Sequence, residues 1–442
     1  MTDANRGNWG SRIGFILAAV GSAVGLGNIW KFPYITGVYG GGAFVLVYLG
    51  CILLVGVPIM LAELIIGGRS KRNPVGAFRV LRSEKSPWQL TGWLGVASGF
   101  LILAYYSVIA GWSTAYIFKA IQGFSGTTEE IGAQFTNLQN SPLLTIFWHT
   151  VFMGLTIAIV IRGVQKGIER WSKILMPILV AILLGLSFYG IFFTSGGVKA
   201  LSFLFKPNFS QLSAEAILSA LGHAFFTLSL GMGAMITYGS YLKKEVNFSR
   251  TALTISLLDT VIALFAGIAI FSLVSQYNME PSSGTGLIFT TLPVLFKETG
   301  VLISVPFFLL LTFAALTSAI SLLEVVVSYF IDERRWSRTR STLLLGGAIY
   351  LVGILCAAET LKVPFFGKQR SFFQIFDVIT TNYMLPVGGL LICLFVGWVM
   401  KEKIPPLKSK ASTIFYQLVI FILKFLTPVA VALVFLNKLE II

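Results

Sequence analysis

Gly21-Ser22-Ala23-Val24-Gly25-Leu26-Gly27-Asn28 lies in the middle of an apolar stretch running from residue 12 to residue 37. Three glycines in eight residues suit a helix interior badly, because glycine loses the most backbone freedom on ordering. Ser229-Leu230-Gly231-Met232-Gly233-Ala234 occupies the same middle position in the stretch 214–242, which lies five apolar stretches later. Two readings are open. Small residues let apolar helices approach closely, and they also mark helices interrupted at mid-depth.

The surroundings fix the solvent. The 442 residues are 56% hydrophobic and 12% charged, with a mean hydropathy of +0.84. That balance excludes a soluble domain. A bilayer core about 30 Å thick needs roughly 20 apolar residues per helix. Such runs fall at 12–37, 41–67, 88–121, 143–161, 168–193, 214–242, 249–276, 301–331, 342–357, 372–400 and 413–436. The expected fold is an all-α integral membrane protein of eleven transmembrane helices in a lipid bilayer, with no separate soluble domain.

The net charge of +15 is explained by where the cations sit. Arg69, Lys71, Arg72, Arg79, Arg82 and Lys85 follow the second run, and Arg162, Lys166, Arg170 and Lys173 flank the connector after the fourth. Lys243, Lys244 and Arg250, then Arg334, Arg335, Arg338 and Arg340, then Lys401, Lys403, Lys408 and Lys410 fill the other even-to-odd connectors. The opposite connectors are poorer in lysine and arginine. By the positive-inside rule the chain is a multi-pass protein of the cell membrane, with a cytoplasmic N-terminus and an extracytoplasmic C-terminus. The basic excess therefore implies orientation and no nucleic-acid partner.

The first run is too long for a secretory signal and has no small-x-small cleavage site, so it is expected to stay in the mature chain. Cys51, Cys356 and Cys393 are scattered within runs and read as small apolar residues. No Gly-x4-Gly-Lys-Ser/Thr loop is present. His149 and His223, the two histidines, lie in different runs without clustered acids or thiols, so an enzyme has little support.

A repeat of five spans inverts topology. Inverted repeats with discontinuous first helices are a transporter signature, with half-helix ends offering amides to anions and carbonyls to cations. On this reading 12–193 and 214–400 are two repeats of one domain, 1–400, and 413–436 is an extra helix.

The motifs themselves are specific. The run Gly25-Leu26-Gly27-Asn28-Ile29-Trp30-Lys31-Phe32-Pro33-Tyr34, followed by Gly40-Gly41-Gly42-Ala43-Phe44, resembles the first-helix signature of the neurotransmitter:sodium symporters, specifically their bacterial amino-acid-transporting branch. Phe225-Phe226-Thr227-Leu228-Ser229-Leu230-Gly231, Arg162-Gly163 with Lys166-Gly167-Ile168-Glu169-Arg170, and Leu316-Thr317-Ser318 are further matches. The resemblance runs from about Arg6 to Met400. It implies a 5+5 inverted repeat with unwound first and sixth helices, a symporter rather than an enzyme, and two bound sodium ions with no organic cofactor. On the same scaffold, an amino-acid sensor or a channel is the alternative.

What the resemblance implies for the site is detailed. Leu26 and Gly27 amides and the Tyr106 hydroxyl would hold a substrate carboxylate; the carbonyls of Ala23, Phe226 and Thr227 and the Ser229 hydroxyl would hold its ammonium. Val24, Ile102, Tyr106, Phe226, Ser229, Met232, Ser318 and Leu322 would line the side-chain pocket, which favours hydrophobic L-amino acids, aliphatic and aromatic. The first sodium would sit among Ala23, Asn28, Thr227 and Asp259, and the second among Gly21, Val24, Ala314, Thr317 and Ser318.

Asp259 stands out even without the resemblance, since an acid inside an apolar span usually faces a cavity or a partner; the bland reading is a structural polar contact. Many relatives carry a neutral residue there and need chloride, so the acid implies chloride independence. Glu63 resembles a family glutamate that braces the unwound part of the first helix, and Glu324 has no assigned role. Lys31 with Asp377 matches an outer charged pair under which Tyr106 and Phe226 form a lid. Arg6 with Asp332, flanked by Trp9 and Tyr241, matches an inner latch. Gly167 and Pro177 have the spacing that accompanies unwinding of the inner half of helix five.

Overall fold

The computed structural model describes residues 7–243, 246–277, 285–359, 361–400 and 417–438. In chain order the helices are α1 (Arg12–Ala23), α2 (Gly27–Val38), α3 (Gly42–Ser70), α4 (Pro74–Leu81), α5 (Gln89–Gln122), α6 (Thr128–Gln139), α7 (Pro142–Val160), α8 (Val164–Phe193) and α9 (Gly197–Phe205). Then follow α10 (Ala214–Thr227), α11 (Ala234–Ser240), α12 (Phe248–Gln276), α13 (Leu292–Thr299), α14 (Val301–Arg334), α15 (Arg338–Ala357), α16 (Phe372–Val399) and α17 (Gln417–Leu433). Eight of the described helices are long and apolar enough to cross a bilayer, nine when the bent pair α1 and α2 counts as one span. The segments around α10 and α11 and around α17 are built of shorter helices. Residues 413–416 of the eleventh expected span lie outside the described residues.

The interruptions follow from the glycine runs. α1 stops at Ala23 because Val24 is extended, with φ −70° and ψ 107°, and α2 leaves at 50° to α1. α10 stops at Thr227. Between it and α11, Ser229, Gly231 and Gly233 all adopt positive φ, of 53°, 79° and 76°. Gly231 is required twice over, since a Cβ there would also stand 2.5 Å from the Leu385 carbonyl.

Around these breaks the long helices form the scaffold. α5 packs most extensively against α14, α3 against α11, and α12 against α8, while α1 is enclosed by α8, α12 and α14. Side chains facing away from the bundle are large and apolar, among them Leu143, Phe188, Leu257 and Leu351, as a lipid solvent demands.

One element departs from the all-α expectation. Residues Lys362–Phe365 (β1) and Lys368–Ser371 (β2) pair antiparallel as a hairpin. Phe366 and Gly367, at its turn, have φ of 46° and 70°, the double positive φ of a two-residue turn whose twist matches the strands.

Candidate functional site

Where α1 gives way to α2 beside the α10–α11 break, a narrow internal cavity is lined by Ala23, Leu26, Gly27, Ile102, Tyr106, Phe226, Thr227, Ser229, Met232, Ser318 and Leu322. The sequence reading named all of these, together with Val24, for a substrate site, and the structure brings them together around one cavity. Val24 does not line the cavity: its side chain is wholly buried, and it takes part through its carbonyl, 3.2 Å from the Ser318 hydroxyl. Extended backbone at Val24 turns that carbonyl inward and the side chain away. Ser22 and Gly25 line the cavity as well, although the sequence reading did not select them.

Polar groups freed by the breaks converge here. The Leu26 N–H donates to the Tyr106 hydroxyl at 3.1 Å, and the Gly25 N–H donates to Asn28 Oδ1 at 3.0 Å. The Ser229 hydroxyl donates to the Ser22 carbonyl at 2.7 Å, so the two interruptions are bonded to each other. Around the pocket the side chains of Ile102, Met232 and Leu322 carry no charge.

Two oxygen-rich clusters flank the cavity. In the first, Asn28 Nδ2 donates to Asp259 Oδ1 at 2.7 Å, and the Thr227 hydroxyl lies 3.3 and 3.2 Å from the two carboxylate oxygens. Asp259 is fully buried, and none of the described ion pairs includes it. A buried carboxylate held only by neutral donors is costly without a cation. In the second cluster the Ser318 hydroxyl is 3.4, 3.2 and 3.2 Å from the carbonyls of Gly21, Ser22 and Val24. The Thr317 hydroxyl is 3.0 Å from the Ala314 carbonyl, and Gly21 abuts Thr317. Ser22 also donates to Ser321 at 2.7 Å, a contact that was not anticipated.

Glu63 is corrected in its target. Its Oε1 accepts the Gly231 N–H at 2.7 Å, so it braces the break between α10 and α11 rather than that of the first helix. At this level in the bundle α3 lies against α11, which decides which break its acid reaches.

Outside the cavity, Tyr106 and Phe226 separate it from a second, wider cavity that both Lys31 and Asp377 line. Lys31 Nζ stands 4.7 Å from the Phe226 ring centroid, and Asp377 accepts from the Thr381 hydroxyl at 3.1 Å. On the other side, Trp9 Nε1 donates to the Tyr238 carbonyl at 2.8 Å and Trp9 N–H to the Tyr241 carbonyl at 3.2 Å. Tyr241 donates to Glu324 at 2.5 Å, and Arg338 holds Glu324 through two bonds of 2.7 and 2.9 Å. Asp332 accepts from the Asn73 N–H at 2.9 Å; Arg6, its expected partner, lies outside the described residues.

Helix α8 is continuous through Gly167 and Pro177. A π-helical turn over Val164–Glu169 opens it. Glu169 in that turn accepts from the Gly10 N–H at 2.6 Å and the Ser11 hydroxyl at 2.8 Å, fastening the start of α1 to that of α8.

Comparison with known proteins settles the kinship. Residues 6–130 and 135–441 match the sodium:neurotransmitter symporter family.

The chain belongs to the sodium:neurotransmitter symporter family.

It is 40% identical to the sodium-dependent transporter YhdH of Bacillus subtilis, over 100% of both chains. It is 33% identical to a sodium-dependent transporter of Haemophilus influenzae, over 98% of both. Its fold is similar to the crystal structure of MhsT in complex with L-phenylalanine, with a TM-score of 0.87 and 44% identity over 98% of this chain and 100% of that one. Members of the sodium:neurotransmitter symporter family are transporters, not enzymes. The chain is accordingly a multi-pass, sodium-dependent membrane transporter.

Proposed function

We propose that this protein imports hydrophobic L-amino acids, aliphatic and aromatic, together with two sodium ions and without chloride. The scaffold is read as eleven spans, with residues 12–193 and 214–400 forming an inverted 5+5 repeat whose first helices are broken at mid-depth. The N-terminus is cytoplasmic and the C-terminus extracytoplasmic, in the cell membrane.

The observation that carries this reading is the meeting of both backbone breaks with the buried carboxylate of Asp259, held by the neutral donors Asn28 and Thr227. Amides of Leu26 and Gly27 at the start of α2 suit a carboxylate through hydrogen bonds and the helix dipole. Carbonyls of Ala23, Phe226 and Thr227 with the Ser229 hydroxyl suit an ammonium. Ile102, Phe226, Met232 and Leu322 give the side chain an uncharged, mostly apolar surface, and Met232 is flexible enough to fit both branched and aromatic groups. The ligand in the MhsT structure, L-phenylalanine, agrees with that chemistry.

Sodium is a hard cation served by oxygen. One ion would take Asn28, Thr227, Asp259, the Ala23 carbonyl and the substrate carboxylate. The other would take carbonyls of Gly21, Val24 and Ala314 with the hydroxyls of Thr317 and Ser318. A fixed negative charge at Asp259 supplies the compensation that a chloride ion gives where the position is neutral.

The test is uptake by proteoliposomes under an inward sodium gradient. Labelled phenylalanine should accumulate above equilibrium, leucine should compete, lysine and glutamate should not, and replacing chloride with gluconate should leave the rate unchanged. A strict chloride requirement would remove the role given to Asp259. Binding without accumulation would favour a sensor, and equilibration without sodium coupling a channel.

A further inference from the structure

Outside the substrate cavity, beside the closure at Trp9, a further cavity opens where the foot of α1, the connection after α11 and the first turn of α12 meet. Arg12, Lys243 and Arg250 project from these three separate elements into its wall. All three are exposed, and none belongs to a described ion pair. Among the described residues no acid lines the cavity. Glu169, the acid bonded to the neighbouring Gly10 and Ser11, is already paired with Lys173 at 2.6 Å.

Apolar surface begins where these cations end. Ile13 follows Arg12 and is 69% exposed; from Arg250 the outward-facing Leu253, Leu257 and Val261 rise along α12 at three- to four-residue spacing, 39%, 59% and 36% exposed. A soluble anion would use the three cations and leave that stripe unused. A phospholipid uses both, with its phosphate among the cations and its chains along α12. We propose that this cavity binds the phosphate of an anionic phospholipid in the inner leaflet. Trp9, Gly10 and Ser11 line the same cavity, so a lipid seated there adds contacts to the segment that closes the inner end of the pathway.

The experiment uses the full chain, purified in neutral detergent, immobilised and stripped of lipid, with radiolabelled phosphatidylglycerol as the probe. Competition with phosphatidylcholine of the same chains, and with inorganic phosphate, separates lipid from free anion. The wild type should prefer phosphatidylglycerol over phosphatidylcholine by roughly a hundredfold, from three cations near the headgroup, and the preference should fall with added salt. The triple variant R12Q/K243Q/R250Q should bring the preference to within about threefold, a level set by what three lost charges remove. The charge-retaining R12K/K243R/R250K and a control lacking other basic residues, R72Q/R82Q/K85Q, should keep it. Circular dichroism and gel filtration check folding, and R250Q alone serves if the triple variant does not fold. Equal preference in wild type and R250Q or the triple variant, or equal loss in the control, would overturn the site. Displacement of the lipid by millimolar inorganic phosphate would overturn the choice of a lipid.

Discussion

A methyl group on Gly25 would stand 2.6 Å from Ser318 Oγ and 2.8 Å from the Tyr106 hydroxyl. Both are polar atoms of the cavity, and neither can retreat without giving up the bonds that hold the break. Gly25→Ala should therefore weaken substrate binding at least about tenfold, as overpacking by one carbon does in a filled site, while helical content and membrane insertion stay unchanged. Equilibrium binding of labelled phenylalanine in sodium checks this, and wild-type affinity would show that the space is softer than it looks. Gly25 was visible in the sequence because it sits in an unusual run. Ser321 was not, because a serine in an apolar helix ordinarily bonds back to its own turn; Ser321 does so at 2.8 Å with the Ser318 carbonyl and still accepts from Ser22. Glu63 was visible as an acid in an apolar span, but its partner was fixed by which helix lies opposite, and that is a tertiary fact.

At the scale of elements, the long spans were legible because lipid imposes length and apolarity on them together. The connectors were not. α4, α6, α9 and α13 are short, and two of them start on local caps: at α4 Asn73 accepts from Val75 and Gly76, and at α6 Thr127 with Glu130 forms a reciprocal capping box. The β1–β2 turn places positive φ on Phe366, a residue that gives no such signal. Helix α8 shows a further gap between spacing and cause. Gly167 has a packing role of its own, because a Cβ there would run into the Ile159 carbonyl, so Gly167→Ala changes packing as well as winding. Pro177 is the cleaner probe of helix unwinding. Pro177→Ala restores a backbone donor and stiffens the inner half. Turnover should drop several-fold with substrate affinity held within about twofold, as expected when a conformational step limits the rate. Exchange and equilibrium-binding assays on one preparation separate the two, and unchanged turnover would show that α8 need not unwind.

At the scale of the molecule the two sides of the cavity are closed differently. Towards Lys31 and Asp377 the rings of Tyr106 and Phe226, with Leu26, stand between it and the wider cavity. On the opposite side the closure is a chain of bonds from Trp9 through Tyr238 and Tyr241 to Glu324 and Arg338, which ties α11 to α14 and α15. The sequence offered Trp9 and Tyr241 through resemblance, but Arg338 read as one of many loop cations that orient the chain. Only the fold brings it to Glu324, a side chain with no exposed surface. Removing one member of such a pair leaves a buried charge alone and costs about 3–5 kcal/mol, whereas removing both is far milder. In the proposed transport cycle that cost falls on the arrangement closed on the Trp9 side and is relieved when that side opens. Glu324→Gln should then lower the apparent sodium affinity of substrate binding by at least about tenfold, since the binding-competent population shrinks, and should speed amide exchange over residues 9–23. Glu324→Gln with Arg338→Gln should recover most of the affinity. If the double variant binds sodium as weakly as the single one, the pair acts through something other than closure of the inner end.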